Sequence, residues 1–301
     1  MNRGQVPAHL IYGARTGFLT GRRQETPLWN RIAQEVQIDG AYADLVDLGS
    51  APMPTNSKTG TTLQSMIEKT MQIRPVDWDI TIHISYNAVM DDRTGSLMSK
   101  AQQAAGNFDR HVNQLVFQAI NTGATIGQFG ACYDGKALFA DDHVDPGATY
   151  QTAQDNQYAL SLTPANFQTV YVAASGRLDD QGQQTGYVPD LLIVPPALDY
   201  AGAQITGNPK TPSTSYVEGE INPYAGRISQ ITVPYIDSTA WFLVDSKMPI
   251  KPLFVVMRER PHLQEAWFDA TKPDGGWYLF KYFARYNVAY GDWRLITMGN
   301  T

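Results

Sequence analysis

The sequence predicts an α+β fold, and three stretches carry that reading. Between Asp91 and Thr122, apolar residues recur at Leu97, Ala101, Ala104, Phe108, Val112, Leu115 and Ala119. Steps of three and four are the period of a long amphipathic helix. Between Trp78 and Tyr86, large apolar residues alternate strictly with Asp79, Thr81, His83 and Ser85, the period of a strand with one buried face. Further on, Leu191 to Val194 form a continuous apolar run, and residues 277–293 are crowded with Trp277, Tyr278, Phe280, Tyr282, Phe283, Tyr286, Tyr290 and Trp293. Such runs belong to strands covered on both faces, by the core or by a neighbour.

Composition limits the function classes. At 301 residues and 43% hydrophobic content, the chain buries a sizeable core as one elaborate domain or two ordinary ones. Only 17% of residues are charged, while 25 Gly and 18 Pro point to turns and extended connections outside the main helix. A formal charge of -6 opposes nonspecific binding to nucleic acid, which needs Lys and Arg in excess. Cys132 is the only cysteine, so neither an intrachain disulfide nor a Cys-rich zinc site forms, and an intracellular place of synthesis is expected. The N-terminal stretch lacks the apolar core of a signal peptide, and no window reaches the roughly 20 apolar residues of a membrane-spanning helix.

In chain order, residues 1–28 hold Gly4, Gly13, Gly17, Gly21, Pro7 and Pro27 with the basic group Arg15, Arg22 and Arg23. This arm cannot bury itself; it is either ordered on another part of the chain or on another subunit, or it is a disordered tail. A short helix with Trp29, Ile32, Ala33 and Val36 on one side is expected next. Residues 43–90 read as two extended limbs joined by the polar turn-formers of residues 51–62. The long helix that follows has capping oxygens at Asp91, Asp92 and Thr94, Gly106 as a weak point, and Gly123 where a left-handed C-terminal cap would sit.

Asp134-Gly135 between short apolar flanks predicts a hairpin. The cluster Asp141, Asp142, His143 and Asp145 invites a metal-site reading. Counting from Asp141, however, a calcium loop would find Thr152 at its twelfth position and Pro146 in place of its glycine. His143 has no His or Cys at zinc-ligand spacing either, so a capped turn is expected. Thr163-Pro164 opens a second helix burying Phe167, Val170, Tyr171 and Ala174 and ending near Gly176. Residues 179–186 are a turn, 187–196 a buried strand, 196–205 a short helix and 207–226 a surface excursion; strands follow at 228–236, 240–245 and 252–260.

No phosphate-binding loop, dinucleotide fingerprint, zinc-protease helix or nucleophile elbow occurs. No cofactor and no metal are expected. The one catalytic alternative is a hydrolase using Asp142 and His143.

The blocks LVFQAINTG (115–123), CYDGKALFADDHV (132–144), LTPANFQ (162–168), LDDQGQQTGYVPDLLIVPPAL (178–198), WFLVDSKMPIKPLFV (241–255) and YFARYNVAYGDWRL (282–295) resemble the Mu-like family of phage major head subunits. The resemblance implies the Hong-Kong-97-type major capsid fold. Its parts would be an N-terminal arm at 1–42, an extended loop at 43–90, a peripheral domain with a long spine helix at 91–187, an axial domain at 188–250, and return strands to the peripheral domain at 251–301. It further implies hexamers and pentamers in an icosahedral or prolate shell, assembled in a bacterial cytoplasm with portal, scaffold or protease proteins, and decoration proteins in some shells. The shell would enclose double-stranded DNA without sequence-specific binding and without a membrane. An encapsulin-like nanocompartment is the alternative within the same fold. Expected assembly contacts are Arg15, Arg22, Arg23, Trp29, Lys58, Leu63, Met66 and Trp78.

Overall fold

The apolar stripe of the long helix is the inner wall of the molecule. The computed structural model describes residues 6–22, 27–47, 69–91, 96–148, 150–207, 222–237, 239–271 and 275–300. The helices are α1 (Ala8–Arg22), α2 (Tyr86–Met90), α3 (Ser96–Asn121), α4 (Pro164–Ser175) and α5 (Asp199–Thr206). The strands are β1 (Ala33–Gln37), β2 (Ala43–Asp47), β3 (Lys69–Ile73), β4 (Val76–Ser85), β5 (Gln157–Tyr158), β6 (Leu191–Val194), β7 (Ser229–Thr232), β8 (Trp241–Val244), β9 (Leu253–Asp269), β10 (Trp277–Tyr290) and β11 (Ile296–Gly299).

Over its 26 residues, about 39 Å, α3 buries Ala101, Ala104, Phe108, Val112, Leu115 and Ala119 as the spacing predicts. Val116, Phe117 and Ile120 widen the stripe, because this helix touches strands on more than one side. Its proposed caps differ. Asp91 closes the short helix α2, whose N-cap Ser85 accepts a hydrogen bond from the amide of Ala88 at 3.2 Å. Residues 92–95 lie outside the described residues. Gly123 is not left-handed; a Cβ there would meet the Phe139 ring at 3.0 Å, so packing demands the glycine.

The arm contains a helix. In α1, Ala14 and Phe18 are buried, and Phe18 stacks on Tyr282 at 4.6 Å and meets Phe108 edge-on at 6.1 Å. Glycines that look like breakers serve close approach: a Cβ at Gly21 would lie 2.4 Å from the Gln102 carbonyl oxygen of α3. The helix expected at 29–36 is instead a single 3-10 turn at Trp29–Arg31 followed by β1. The open edge of β9 takes β1 as a parallel partner, Ala33 opposite Leu253, and that ladder overrides a weak local helical pattern.

Two sheets organise the rest. The first has strand order β1-β9-β10-β4, with β10 antiparallel to both neighbours. Along β10, Tyr278, Phe280, Tyr282, Ala284 and Tyr286 are buried toward α1 and α3, while Trp277, Leu279, Lys281, Phe283 and Arg285 on the other face are half-exposed. The second sheet, β5-β11-β8-β6-β7, runs through the middle of the remaining chain. Its β6 is covered on both faces, as the apolar run predicts: Leu191 and Ile193 join the core around α3, and Leu192 and Val194 join Phe167, Val170 and Ile205 from α4 and α5. Thr163 caps α4 with Pro164 at its first position, matching the expected start.

Three expectations about organisation change. Among the described residues of this segment, β2 and β3 pair antiparallel; β4 leaves them and joins the first sheet beside β10, because its Trp78, Ile80, Ile82 and Ile84 supply that sheet's inner face. The return segment also splits, since β9 and β10 lie in the first sheet while β11 pairs with β8 and β5 in the second. Asp134-Gly135 makes a turn, with Gly135 at φ 78, but its flanks form no ladder beyond the Cys132 amide on the Lys136 carbonyl at 2.8 Å.

Candidate assembly surfaces and the buried junction behind them

The expected contact residues fall into three groups. Arg15 is exposed on α1 between Tyr12 (73% exposed) and Leu19 (61% exposed), so this helix shows an outer face with apolar and basic side chains. Arg22 ends α1, whereas Arg23, Lys58, Leu63 and Met66 lie outside the described residues. Trp29 and Trp78 are used within the chain. Trp29 is buried, and its amide donates to Asn113 Oδ1 of α3 at 3.1 Å. Trp78 donates from Nε1 to the Tyr286 carbonyl at 3.1 Å, and its ring packs against His111 at 4.4 Å.

His111 bridges α3 to the first sheet, its Nδ1 2.8 Å from the Tyr286 hydroxyl. Burial lowers its pKa below the ordinary 6.5, because a charged ring is poorly solvated there. Burial pushes the Tyr286 phenol far up, with a smaller contribution from Asp109. Beside these rings runs a cleft of about 330 Å³ between α3 and β4. A second cleft of about 310 Å³ lies under the root of the excursion, where Ile73 and Arg74 face Phe129 and Asn287. There Asn287 Nδ2 donates to the Arg74 carbonyl at 2.8 Å.

Asp142 and His143 face different partners. Asp142 is on the surface in an ion pair with Lys136, which holds its carboxyl below the usual range. His143 is fully buried; its Nδ1 lies 2.5 Å from Asp134 Oδ2 and its Nε2 3.3 Å from the Leu138 carbonyl. Its ring stacks on Trp293 at 4.2 Å with 4° between planes. The acidic cluster therefore does not converge, and among the described residues no group of three or more His, Cys, Asp or Glu side chains is placed to hold a metal ion.

Around Trp293 the sequence-distant blocks meet. Arg294 lies over the Trp293 ring at 4.9 Å, pairs with buried Asp145 and with Asp292, and donates to the Tyr133 hydroxyl. Burial alone would lower its pKa, but Asp292, Tyr133 and Asp145 outweigh that and hold it above the ordinary value. Arg177 has no carboxylate within ion-pair distance among the described residues; it donates to the carbonyls of Arg294 (2.5 Å) and Ile296 (3.2 Å) and to Thr297 Oγ1 (2.5 Å). Burial brings it down to about 10. Asn156, also buried, donates to the Leu138 carbonyl at 2.7 Å and accepts from the Ala140 amide at 2.9 Å. These bonds tie the loop after α3 to β11. Sequence reading missed this junction because Asp145 and Arg294 stand far apart in the chain, and neither residue type has a period that announces a buried pair.

Comparison with known proteins agrees with this geometry. The model of the family "Mu-like prophage major head subunit gpT" matches residues 8–159. No curated protein sequence matches the chain. In fold, the chain is similar to one from the capsid of bacteriophage JBD30 decorated with minor capsid protein trimers, at 16% identity, covering 71% of this chain and 92% of that one, with TM-score 0.55. It is also similar to a virus-like particle from Pyrococcus furiosus, at 14% identity, 95% and 97% coverage and TM-score 0.53. A third match is the capsid of the native GTA particle, at 11% identity, 92% and 90% coverage and TM-score 0.58. At these identities the structures establish the fold, the Hong-Kong-97-type capsid architecture, and the family match establishes the kinship. The chain belongs to the Mu-like prophage gpT family of major head subunits, and is a major capsid protein of the tailed-phage type.

Proposed function

We propose that the subunit forms hexamers and pentamers of a closed icosahedral or prolate shell that encloses double-stranded DNA, without catalysing a reaction. The family match carries this reading, and the chain's own construction supports it. A well-packed two-sheet body carries an excursion, β2–β3, whose root is held by the small cluster Ala43, Ile73, Val256 and Ala289. The outer face of α1 and the β2–β3 pair are the parts that neighbours would cover. In this reading the peripheral unit is the first sheet with α1 and α3, and the axial unit extends beyond the expected 188–250 to take α4, β5 and β11 with the rest of the second sheet and α5. A net charge of -6 suits a wall that does not grip its contents. Portal, scaffold or protease proteins act during assembly in the bacterial cytoplasm. An encapsulin-like compartment shares the fold but would enclose protein. Nuclease treatment of purified particles separates the two: protected double-stranded DNA is expected, and particles that hold only a cargo protein would overturn the genome reading.

A further inference from the structure

We propose that the open edge of β4 is a docking site for an extended segment of a separate protein whose residues alternate basic and apolar. The proposal goes beyond shell assembly and requires only the folded subunit. Its first support is topological. β4 stands last in the order β1-β9-β10-β4, so along Val76–Ser85 its outward backbone groups have no strand partner among the described residues. Such an edge is a template for one more strand.

The two sides of that edge differ in chemistry. On the face away from α3, β4 presents Asp77 and Asp79, and both are exposed. The register sets Arg285 and Glu259 behind Asp77, and Phe283 and His262 behind Asp79. In further rows, Glu265 stands opposite Lys281 and Asp269 opposite Trp277. That face therefore carries the carboxylates Asp77, Asp79, Glu259, Glu265 and Asp269 beside Lys281 and Arg285; Arg285 pairs with Asp77 at 2.5 Å, which leaves Asp79 as the edge carboxylate without an ion pair among the described residues. On the other side lies the cleft of about 330 Å³, walled by Trp78, Ile80, Phe108, Tyr286 and the His111 ring, with Asp79, Asn107, Arg110 and Gln114 also lining it.

A strand added to β4 sends successive side chains to opposite faces. One set then lies beside Asp77 and Asp79, where Lys or Arg is favoured, and the other enters the cleft, where apolar side chains bury area against the rings. Alternation of basic and apolar residues is thus what the edge selects. A second copy of this chain offers no described strand of that kind: the open-edge strands β1, β5 and β7 contain no Lys or Arg, and β3 contains only Lys69. Nucleic acid is disfavoured by the carboxylates.

The test uses two eight-residue probe peptides, one alternating Lys and Val and one alternating Glu and Val. Their binding is measured on the folded subunit and on purified shells, together with hydrogen exchange of the Val76–Ser85 amides. The Lys-Val peptide is expected to bind at least about tenfold more tightly than the Glu-Val peptide and to slow exchange in β4, with Asp79→Lys weakening binding by a similar factor. Equal binding of the two peptides overturns the proposal, as does binding that leaves β4 exchange unchanged. Shells whose β4 amides are already protected without peptide, relative to the free subunit, also overturn it, because the edge is then an interface between copies. The comparison of the two peptides stands even if Asp79→Lys fails to fold.

Discussion

Arg294 shows how much of this subunit rests on single buried charges. Its guanidinium pairs with Asp145 and Asp292 in a buried setting, so removing one member leaves buried charge uncompensated. Arg294→Met should lower unfolding stability by about 3–5 kcal/mol, and adding Asp145→Leu should recover part of that loss. Chemical denaturation of the two variants checks both. At His111 the effect is one of pH. Burial depresses its folded pKa below 6.5, so the unfolded chain binds the proton more readily. The stability it contributes is complete above the unfolded value and is lost as pH falls from about 6.5 through the folded pKa. Midpoints of thermal unfolding should fall more steeply over that window in the native chain than in His111→Gln.

At the scale of elements, what was legible followed from how the information is stored. The stripe of α3, the alternation of β4 and the cap of α4 are periodic or local, and the structure reproduces them nearly residue for residue. α1 was hidden because Gly13, Gly17 and Gly21 look like breakers. At Gly21 the missing side chain lets α1 approach α3 closely, whereas a Cβ at Gly13 would meet nothing within 4 Å. β1 was hidden because its partner β9 lies more than two hundred residues away. The helix in the arm decides what truncation costs. An arm that only reached a neighbour could be removed at little cost to the subunit. Removing residues 1–28 here strips Phe18 from Tyr282 and Phe108, so the truncated subunit should lose roughly 3–5 kcal/mol, comparable to deleting a buried Phe. Unchanged stability of the truncated, soluble subunit would show that α1 packs elsewhere.

For the whole molecule, the candidate site separated into a legible part and a hidden part. Arg15 stands exposed on α1, open to the contact proposed for it, whereas Trp29 and Trp78 serve the subunit's own core because large aromatic rings are worth most when buried. The blocks CYDG, DDH and DWR marked the family without disclosing why. In the fold Tyr133, His143 and Arg294 of these blocks gather at Trp293, between the loop after α3 and β11. The subunit has exposed surfaces at α1 and along the β2–β3 pair for the shell contacts proposed above, and the edge of β4 lies apart from them. Electron microscopy of the purified protein, expressed with its neighbouring genes, tests the central claim most directly. Closed shells of uniform diameter are the predicted result, and subunits that remain monomeric under every assembly condition would contradict it.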